Sequence, residues 1–376
     1  APFGYTALCW SDYLGQLVAA GPDTSMTSGV TYSLSADGVT WTDYPISGPL
    51  NMCRKLISAD SLNIIMSITG GTVTPPYYGI YLSSDGHTYS PYVTFADFPA
   101  DVIWCESLGL FVGCGMRSSV LPPYTDSTII STSPDGITWT ERFGHSTASG
   151  SGSRILSLAY DPVGNLMVGV GTDFIYHGFY GFVFSTDGGI TWTDSSAPPI
   201  TGAITWNDVA WSPTLGMFVA SSSDDLDQFA YSYDGDTWTF NPQSCGSGEW
   251  ISLVWDPTHA KFVCISDSGN ISAESSDGLT FTAGGTTGTP TGGVEVVYAA
   301  GLLCCVAVYS AAVGDAFATF SGESTPPTGY MYLSDIISTL LDRVGLDASQ
   351  YDVSRLTTTV VRGYLRTKQM SVRDTI

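Results

Sequence analysis

The residues of this sequence that are best suited to acid–base chemistry are carboxylates. Asp208, Glu249 and Asp101 each lie near the start of an apolar run that is typical of a β-strand. Two carboxylates that face each other across a cleft at roughly 5 to 9.5 Å can hydrolyse a glycosidic bond. Residues 1–322 contain 29 acidic residues, so most of these carboxylates are expected to be solvated. Asp208 and Glu249 are therefore candidate catalytic residues, and whether the chain is an enzyme stays open.

Other patterns that could support catalysis or metal binding are weaker. The four histidines are scattered without the spacing of metal ligands. Asp224, Asp225 and Asp227 would bind Ca²⁺ if backbone carbonyls joined them, but the glycine turn and distal glutamate of a calcium loop are missing. The eight cysteines contain no C-x-x-C pair, and we expect buried thiols. The sequence thus predicts no cofactor and no metal site.

A short phrase recurs along most of the chain. It reads "FSTDGGITWTDSS" at residues 184–196 and "YSLSADGVTWTDY" from Tyr32, and it returns every 43 to 52 residues. Its aspartates are Asp37, Asp85, Asp135, Asp187, Asp234 and Asp277. A repeat of this length has room for four short strands, which is the size of a propeller blade. We therefore interpret the aspartates as parts of a structural unit.

The chemistry of the phrase explains its residue types. An aspartate in a turn between two strands accepts hydrogen bonds from backbone N–H groups, and the glycine supplies the positive φ of the turn. The tryptophan then begins the next strand and packs under the turn. Loss of one such aspartate should cost about 1 to 3 kcal/mol through unpaired N–H groups. It should not remove an activity.

A second phrase precedes each copy of the first and reads as two buried strands joined by a polar turn. Examples are "LCWSDYLGQLVAAG" and "VIWCESLGLFVGCG", and "VVYAAGLLCCVAVYS" is a seventh copy without an aspartate motif after it. High glycine and proline content with only 12% charged residues favours short strands over helices. The pattern predicts an all-β chain with seven blades over residues 1–322.

The repeated S-x-D-G-x-T-W phrase resembles the Asp-box, or BNR, repeat of sialidase-like and sortilin-like β-propellers. The resemblance implies a β-propeller, but such repeats occur in enzymes, receptors and non-catalytic proteins alike. Sialidases hold a carboxylate with three arginines, whereas residues 1–322 offer only Arg54, Arg117, Arg142 and Arg154 and no F-R-I-P-like segment. The resemblance therefore does not imply a sialidase.

Aromatic residues predict a binding surface on the face opposite to the aspartate turns. In a propeller, the loops before first strands share one face with the loops between second and third strands. Exposed rings beside proline and glycine could bind a sugar or a protein, although the same rings could simply pack the loops together. The residues assigned to this platform are Tyr5, Tyr77, Tyr124, Tyr176, Tyr180, Trp206 and Trp250.

The net negative charge is confined to the first part of the chain. Residues 1–322 contain six Lys and Arg against 29 acidic residues, whereas residues 323–376 contain six of each. An acidic surface argues against nucleic acid and anionic membranes as partners, because phosphate contacts need clustered cations. No apolar run is long enough for a membrane-spanning segment. The change in composition also predicts a domain boundary near Gly322.

Residues 323–376 begin with the linker "STPPTGYMY" and then change pattern. "LSDIISTLLDRVGL" predicts an amphipathic helix with Ser334 as N-cap and Gly345 as stop, and "TTTVVRGYLR" predicts a strand. The segment resembles the start of tail hub proteins of tailed phages and gene-transfer agents, through Y-D-V-S-x-L from Tyr351, V-R-G-Y from Val361 and S-x-R-D from Ser371. The chain ends at Ile376, within the second helix of that pattern. We therefore expect a short α+β segment after the propeller.

The hub resemblance implies a structural virion protein at the distal end of a phage tail. It implies assembly as a homotrimer with other tail tip or baseplate proteins, and a propeller that serves host-receptor binding or baseplate assembly. The receptor would be a host surface glycan or protein. The alternative is a tail-associated glycosidase that cleaves a host surface polysaccharide.

Overall fold

The chain folds almost entirely into antiparallel β-strands, as its short apolar runs and frequent turn residues predict. The computed structural model describes residues 4–22, 29–47, 50–71, 78–95, 98–118, 126–147, 154–172, 181–196, 204–223, 228–242, 245, 249–267, 272–283, 293–309, 317–320, 330–332 and 360–362. A single 3-10 turn at Asp60–Leu62 is the exception to strand and turn structure among these residues.

Consecutive strands form hairpin-linked sheets, each paired in chain order. The first three sheets contain β1 (Ala7–Ser11), β2 (Gln16–Pro22), β3 (Gly29–Ser35) and β4 (Thr42–Ser47); β5 (Leu50–Ala59), β6 (Ile64–Gly71), β7 (Tyr78–Ser83) and β8 (Ser90–Phe95); and β9 (Phe98–Cys105), β10 (Leu110–Ser118), β11 (Asp126–Ser133) and β12 (Thr140–Thr147).

The next three sheets follow the same pattern. They contain β13 (Arg154–Asp161), β14 (Leu166–Thr172), β15 (Phe182–Ser185) and β16 (Thr193–Asp194); β17 (Trp206–Ser212), β18 (Met217–Ser222), β19 (Gln228–Ser232) and β20 (Thr239–Pro242); and β21 (Trp250–Asp256), β22 (Lys261–Ser266), β23 (Ser272–Ser275) and β24 (Thr282–Ala283). A three-stranded sheet completes this part with β25 (Gly293–Ala299), β26 (Cys304–Tyr309) and β27 (Phe317–Phe320).

The sheets surround a common axis as a β-propeller. The first strand of each sheet contacts the first strands of the sheets before and after it, and β25 contacts both β21 and β1. First strands are therefore innermost, and the ring is closed. The described residues form six four-stranded blades rather than the seven expected, with the three-stranded sheet between the last blade and the first.

The core lies between neighbouring blades, where apolar side chains of facing sheets interdigitate. Between the fourth and fifth blades, Phe182 of β15 packs on Trp206 of β17 and stacks on Trp238 with ring centroids 4.3 Å apart. Comparable clusters fill the other interfaces. All eight cysteines are buried free thiols, as the sequence predicts.

The contact pattern divides the chain into two compact units, residues 1–320 and 321–376. In the second unit β28 (Tyr330–Tyr332) pairs with β29 (Val360–Arg362), which lies inside the strand expected from "TTTVVRGYLR". The helix expected from Ser334 lies outside the described residues. Within the described part of the chain, no helix has the length and apolar character that a membrane span requires.

Candidate functional site

The recurrent aspartates lie in the turns between third and fourth strands, on the face that we call the hairpin face. In the first blade the Ser35 hydroxyl donates to Asp37 Oδ1 (3.0 Å), and the N–H groups of Val39 and Thr40 donate to the same oxygen at 2.9 and 2.6 Å. Gly38 has a φ of +73°, as the turn requires, and its N–H donates to Ser35 Oγ. We call this arrangement a Ser-Asp-Gly turn.

The same hydrogen bonds recur in the other five blades. A serine hydroxyl and two backbone N–H groups meet one carboxylate oxygen of Asp85, Asp135, Asp187, Asp234 and Asp277. The backbone donors lower the pKa of Asp37 to about 2. Each carboxylate is bound within its own turn, so these aspartates stabilise corners and do not converge on one pocket.

The tryptophan of the repeat completes the turn. The indole Nε1–H of Trp238 donates to the Gly235 carbonyl at 2.9 Å, and the indoles of Trp41, Trp139 and Trp192 make the equivalent bond. Tyr89 and Phe281 occupy the same position without this donor and stack on Tyr32 and Phe229 instead.

A second set of polar residues lies at the propeller axis, at one equivalent position in six of the seven innermost strands. Ala7 occupies it in β1, and the polar members, which we call the axial ring, are Lys55, Asp101, Ser157, Asp208, Ser252 and Glu295.

The carboxylates of the axial ring connect one blade to the next. Asp101 on β9 accepts the N–H of Leu158 on β13 at 3.0 Å. Asp208 on β17 accepts the Ser157 hydroxyl (2.6 Å) through Oδ1 and the N–H of Leu253 on β21 (2.7 Å) through Oδ2. The axial carboxylates are thus bound to the backbone of the neighbouring blade.

The ring closes through Glu295, on the three-stranded sheet. Its Oε2 accepts the N–H of Leu8 on β1 at 2.7 Å, and its Oε1 lies 2.8 Å from Lys55 Nζ. Lys55 also lies 3.2 Å from Asp101 Oδ1. Because the first blade has only Ala7 at this position, Lys55 of the second blade can reach across it to Glu295.

Burial and charge perturb the titration of this cluster. Although burial lowers the pKa of Lys55, the adjacent Asp101 and Glu295 outweigh burial and raise that pKa well above its usual range. Burial raises the pKa values of Asp208 and Glu295, and the nearby Lys55 only partly offsets the effect. The axis therefore holds carboxylates that bind protons more readily than ordinary ones.

An axial cavity of about 320 Å³ opens next to the ring, on the face where the first strands begin. Its polar lining residues are Arg54, Arg154, Thr205 and Asn207, and its apolar ones are Pro99, Ala100, Met116, Leu156 and Ile251. We call this the cavity face; it is opposite to the hairpin face because antiparallel strands begin and turn at opposite ends.

β-Bulges explain how consecutive residues reach the axis. The pairing of first and second strands skips one residue before Lys55, Asp101, Ser157, Asp208 and Ser252. A bulge breaks the alternation of side chains along a strand and re-aims the extra residue. The skipped residues Arg54, Ala100, Leu156, Asn207 and Ile251 line the cavity, whereas Val294, which is skipped in the same way before Glu295, is not one of its lining residues.

The two candidate catalytic residues lie in different surroundings. Asp208 lies in the axial ring with hydrogen bonds to both carboxylate oxygens. Glu249 precedes β21 and is exposed. Asp224, Asp225 and Asp227 lie outside the described residues, and no group of metal-ligating side chains occurs within the described ones.

The prediction that the aromatic residues are exposed on a binding surface is wrong for the three members that the structure describes. Trp206 and Trp250 are fully buried in the cores between blades, and Tyr5 is 1% exposed with its hydroxyl 2.8 Å from Ser33 Oγ. They begin or precede inner strands, where packing between blades covers large rings. Tyr77, Tyr124, Tyr176 and Tyr180 lie outside the described residues.

Sequence reasoning missed Lys55, Ser157, Ser252 and Glu295. A signal was present for all but Lys55: the other axial residues stand three positions before an aromatic residue near the end of the inner strand, such as Tyr298 after Glu295. The neighbouring bulges leave no comparable mark in the sequence.

Comparison with known proteins supports the fold. No family model and no curated protein sequence matches the chain. The structure is similar to the GH74 xyloglucanase from Xanthomonas campestris, with a TM-score of 0.59 and 11% identity over 82% of this chain and 51% of that one. It is also similar to the WD40 β-propeller domain of Doa1, with a TM-score of 0.56 and 11% identity over 85% and 94%.

At this identity the comparisons establish a β-propeller and nothing finer. The chain spans about half the length of the xyloglucanase.

Proposed function

We propose that residues 1–320 are a non-catalytic binding module at the tail tip of a tailed phage or gene-transfer agent, joined to the start of a hub domain. We infer that the Ser-Asp-Gly turns are Asp boxes and that the three-stranded sheet is a seventh blade without its fourth strand. The hub portion would assemble as a homotrimer with other tail tip or baseplate proteins. The propeller would bind a host surface glycan or protein.

The observation that supports a binding role over catalysis is the bonding of the axial carboxylates. A general acid or nucleophile must direct a carboxylate oxygen towards the substrate. Both oxygens of Asp208 instead accept hydrogen bonds from Ser157 and Leu253, and both oxygens of Glu295 contact Lys55 or Leu8. These groups join blades, while the cavity beside them offers cations and an amide for recognition.

The tail location is supported by the sequence of the last segment. The order Y-D-V-S-x-L, V-R-G-Y and S-x-R-D carries the resemblance to hub proteins. The pairing of β28 with β29 is consistent with a separate unit after the propeller.

Labelling of purified particles tests the proposal. Antibodies against the full chain should decorate the distal tail tip in immunogold micrographs, and their Fab fragments should block adsorption to the host, whereas pre-immune Fab should not. Absence of this chain from tail tips would overturn the proposal.

An assay for hydrolysis tests the alternative glycosidase. The full chain is incubated with envelope polysaccharide of the adsorbing host, and new reducing ends are counted. We expect none above background. Reducing ends that disappear in Asp208→Asn or Glu249→Gln variants, with thermal unfolding showing that the variants are folded at the assay temperature, would establish the enzyme and refute the non-catalytic module.

A further inference from the structure

Two arginines line the axial cavity of a strongly acidic protein. Residues 1–322 contain six basic side chains, and three of them, Arg54, Lys55 and Arg154, lie at the axis. Lys55 is engaged by Asp101 and Glu295. The two arginines are exposed at the cavity and come from β5 and β13, with β9 between them. A ligand in the cavity therefore meets guanidinium groups from two blades.

Guanidinium groups select the charge of the ligand. Arginine binds carboxylate or phosphate oxygens through paired N–H donors. The axial carboxylates close to the cavity disfavour each further negative charge on a ligand, because the repulsion between like charges is poorly screened in a partly buried site. A single carboxylate satisfies the arginines with a smaller repulsion than a phosphate dianion.

The remaining lining favours a polyhydroxylated ligand. Asn207 donates its amide N–H to the Trp250 carbonyl at 3.0 Å, which orients the amide oxygen as an acceptor. Thr205 adds a hydroxyl, and Leu156 and Ile251 supply apolar surface for the C–H face of a sugar ring. A cavity of about 320 Å³ takes one small ligand.

We propose that the axial cavity binds a hexuronate, a sugar with one carboxylate. Arg54 and Arg154 would bind the carboxylate, and the amide oxygen of Asn207 would accept a hydrogen bond from a sugar hydroxyl. This inference rests on the proposed binding role of the propeller and names the class of ligand. The ligand would be a single uronic acid residue of a surface polysaccharide.

Titration of the full chain with D-glucuronate tests the inference, with glucose and glucose 6-phosphate as comparison ligands. We expect glucuronate to bind at least tenfold more tightly than either comparison ligand. Glucose has no negative charge for the arginines, and the phosphate dianion of glucose 6-phosphate is repelled more strongly by the axial carboxylates. Arg154→Gln and Arg54→Gln should each weaken glucuronate binding about tenfold or more, and raised salt should weaken binding in the wild type.

Arg142→Gln is the matched control. It changes the net charge equally, but Arg142 lies on the outer strand β12 and donates to Thr132 Oγ1 at 2.9 Å. We expect unchanged glucuronate affinity. Equal affinities for glucose and glucuronate, equal losses in the three variants, or no loss in Arg154→Gln and Arg54→Gln would each overturn the proposal, provided that thermal unfolding shows folded variants.

The result of the glucuronate titration can be distinguished from the result of the tail-tip labelling that tests the proposed function. Labelled tail tips without glucuronate binding would overturn the ligand class alone. Glucuronate binding by a chain that is absent from tail tips would retain the site and overturn the location.

Discussion

The Ser-Asp-Gly turns and the axial ring use the same interaction with opposite consequences. In both regions a carboxylate accepts backbone N–H groups and a serine hydroxyl. Asp37 on the hairpin face is solvent-exposed, and its donors lower its pKa to about 2. Asp208 at the axis is only partly exposed, and desolvation raises its pKa despite similar donors. The surroundings of the carboxylate therefore decide which protonation state the fold favours.

The two regions also differ in the range of their contacts. The donors to Asp37 lie within three residues of it, so each turn is complete within one blade. The partners of Asp208 lie 51 and 45 residues away, in the blades on either side. The turns stabilise corners, whereas the axial ring holds blades together.

The axial ring explains how a propeller with a three-stranded last sheet closes. Glu295 and Leu8 are separated by 287 residues and are joined at the axis, where Lys55 adds an ion pair. Apolar packing between β1 and β26 supports the same junction. Closure therefore rests on the inner strands.

The largest expected effect comes from removing the cation of the axial ring. Lys55→Met leaves Asp101 and Glu295 without their shared partner, and we expect a loss of about 3 kcal/mol in the free energy of unfolding in urea at pH 7. Because the pKa of Lys55 is raised, this contribution is present below the usual lysine pKa and is lost as pH rises through the raised value.

Lys261→Met is the control for this change. Lys261 lies 2.7 Å from Glu274 on adjacent strands of one blade, away from the axis. Its loss should cost about 1 kcal/mol or less. Equal losses in the two variants would contradict a special role for the axis.

The next effect tests the raised pKa of Asp208. Asp208→Asn should cost about 1 to 2 kcal/mol at pH 7, because an amide cannot accept all of the donors. A folded pKa above the unfolded value means that the wild type gains stability as pH falls through the folded value towards about 4. The cost of Asp208→Asn, measured by urea unfolding, should therefore grow between pH 7 and pH 4.

Asp37→Asn should show the opposite pH dependence with a smaller effect. We expect a cost of about 1 kcal/mol at pH 7, since the carboxylate is exposed and screened. A lowered folded pKa gives stability that is present above the unfolded value and lost as pH falls towards about 2. The cost should shrink between pH 5 and pH 3, and costs that change with pH in the same direction for both variants would contradict the comparison.

These regions also differ in how far the sequence predicts them. The turns were predictable because their donors and acceptors lie within one short phrase, which repeats six times. The propeller followed from the spacing of that phrase. The blade count was less accessible, because the seventh copy of the two-strand phrase has no aspartate motif after it to mark a fourth strand.

The axial site was only partly predictable. Asp101 and Asp208 stood out near inner strands, but Lys55 and Glu295 meet across 240 residues of chain, and no local pattern indicates this pairing. The bulges that bring Arg54 and Asn207 to the cavity depend on pairing with a second strand. Trp206 and Trp250 were misassigned because loop position and burial in a blade core look alike in one sequence.

The smallest expected effect tests whether features of the hairpin face act locally. The turns between first and second strands need a positive φ, which Gly216 supplies at +64° and Ala260 adopts at +51°. A Cβ added to Gly216 would meet no atom within 4 Å, so Gly216→Ala isolates the backbone penalty, about 1 kcal/mol.

Ala260→Gly is the reverse change at the equivalent turn of the next blade. Relief of the positive φ outweighs the larger entropy of the unfolded glycine chain, so we expect a gain of about 0.5 kcal/mol. The double variant should give the sum of the two single effects in urea unfolding, because each turn is complete within its own blade. A coupling as large as either single effect would mean that hairpin-face turns communicate between blades, as the axial ring does.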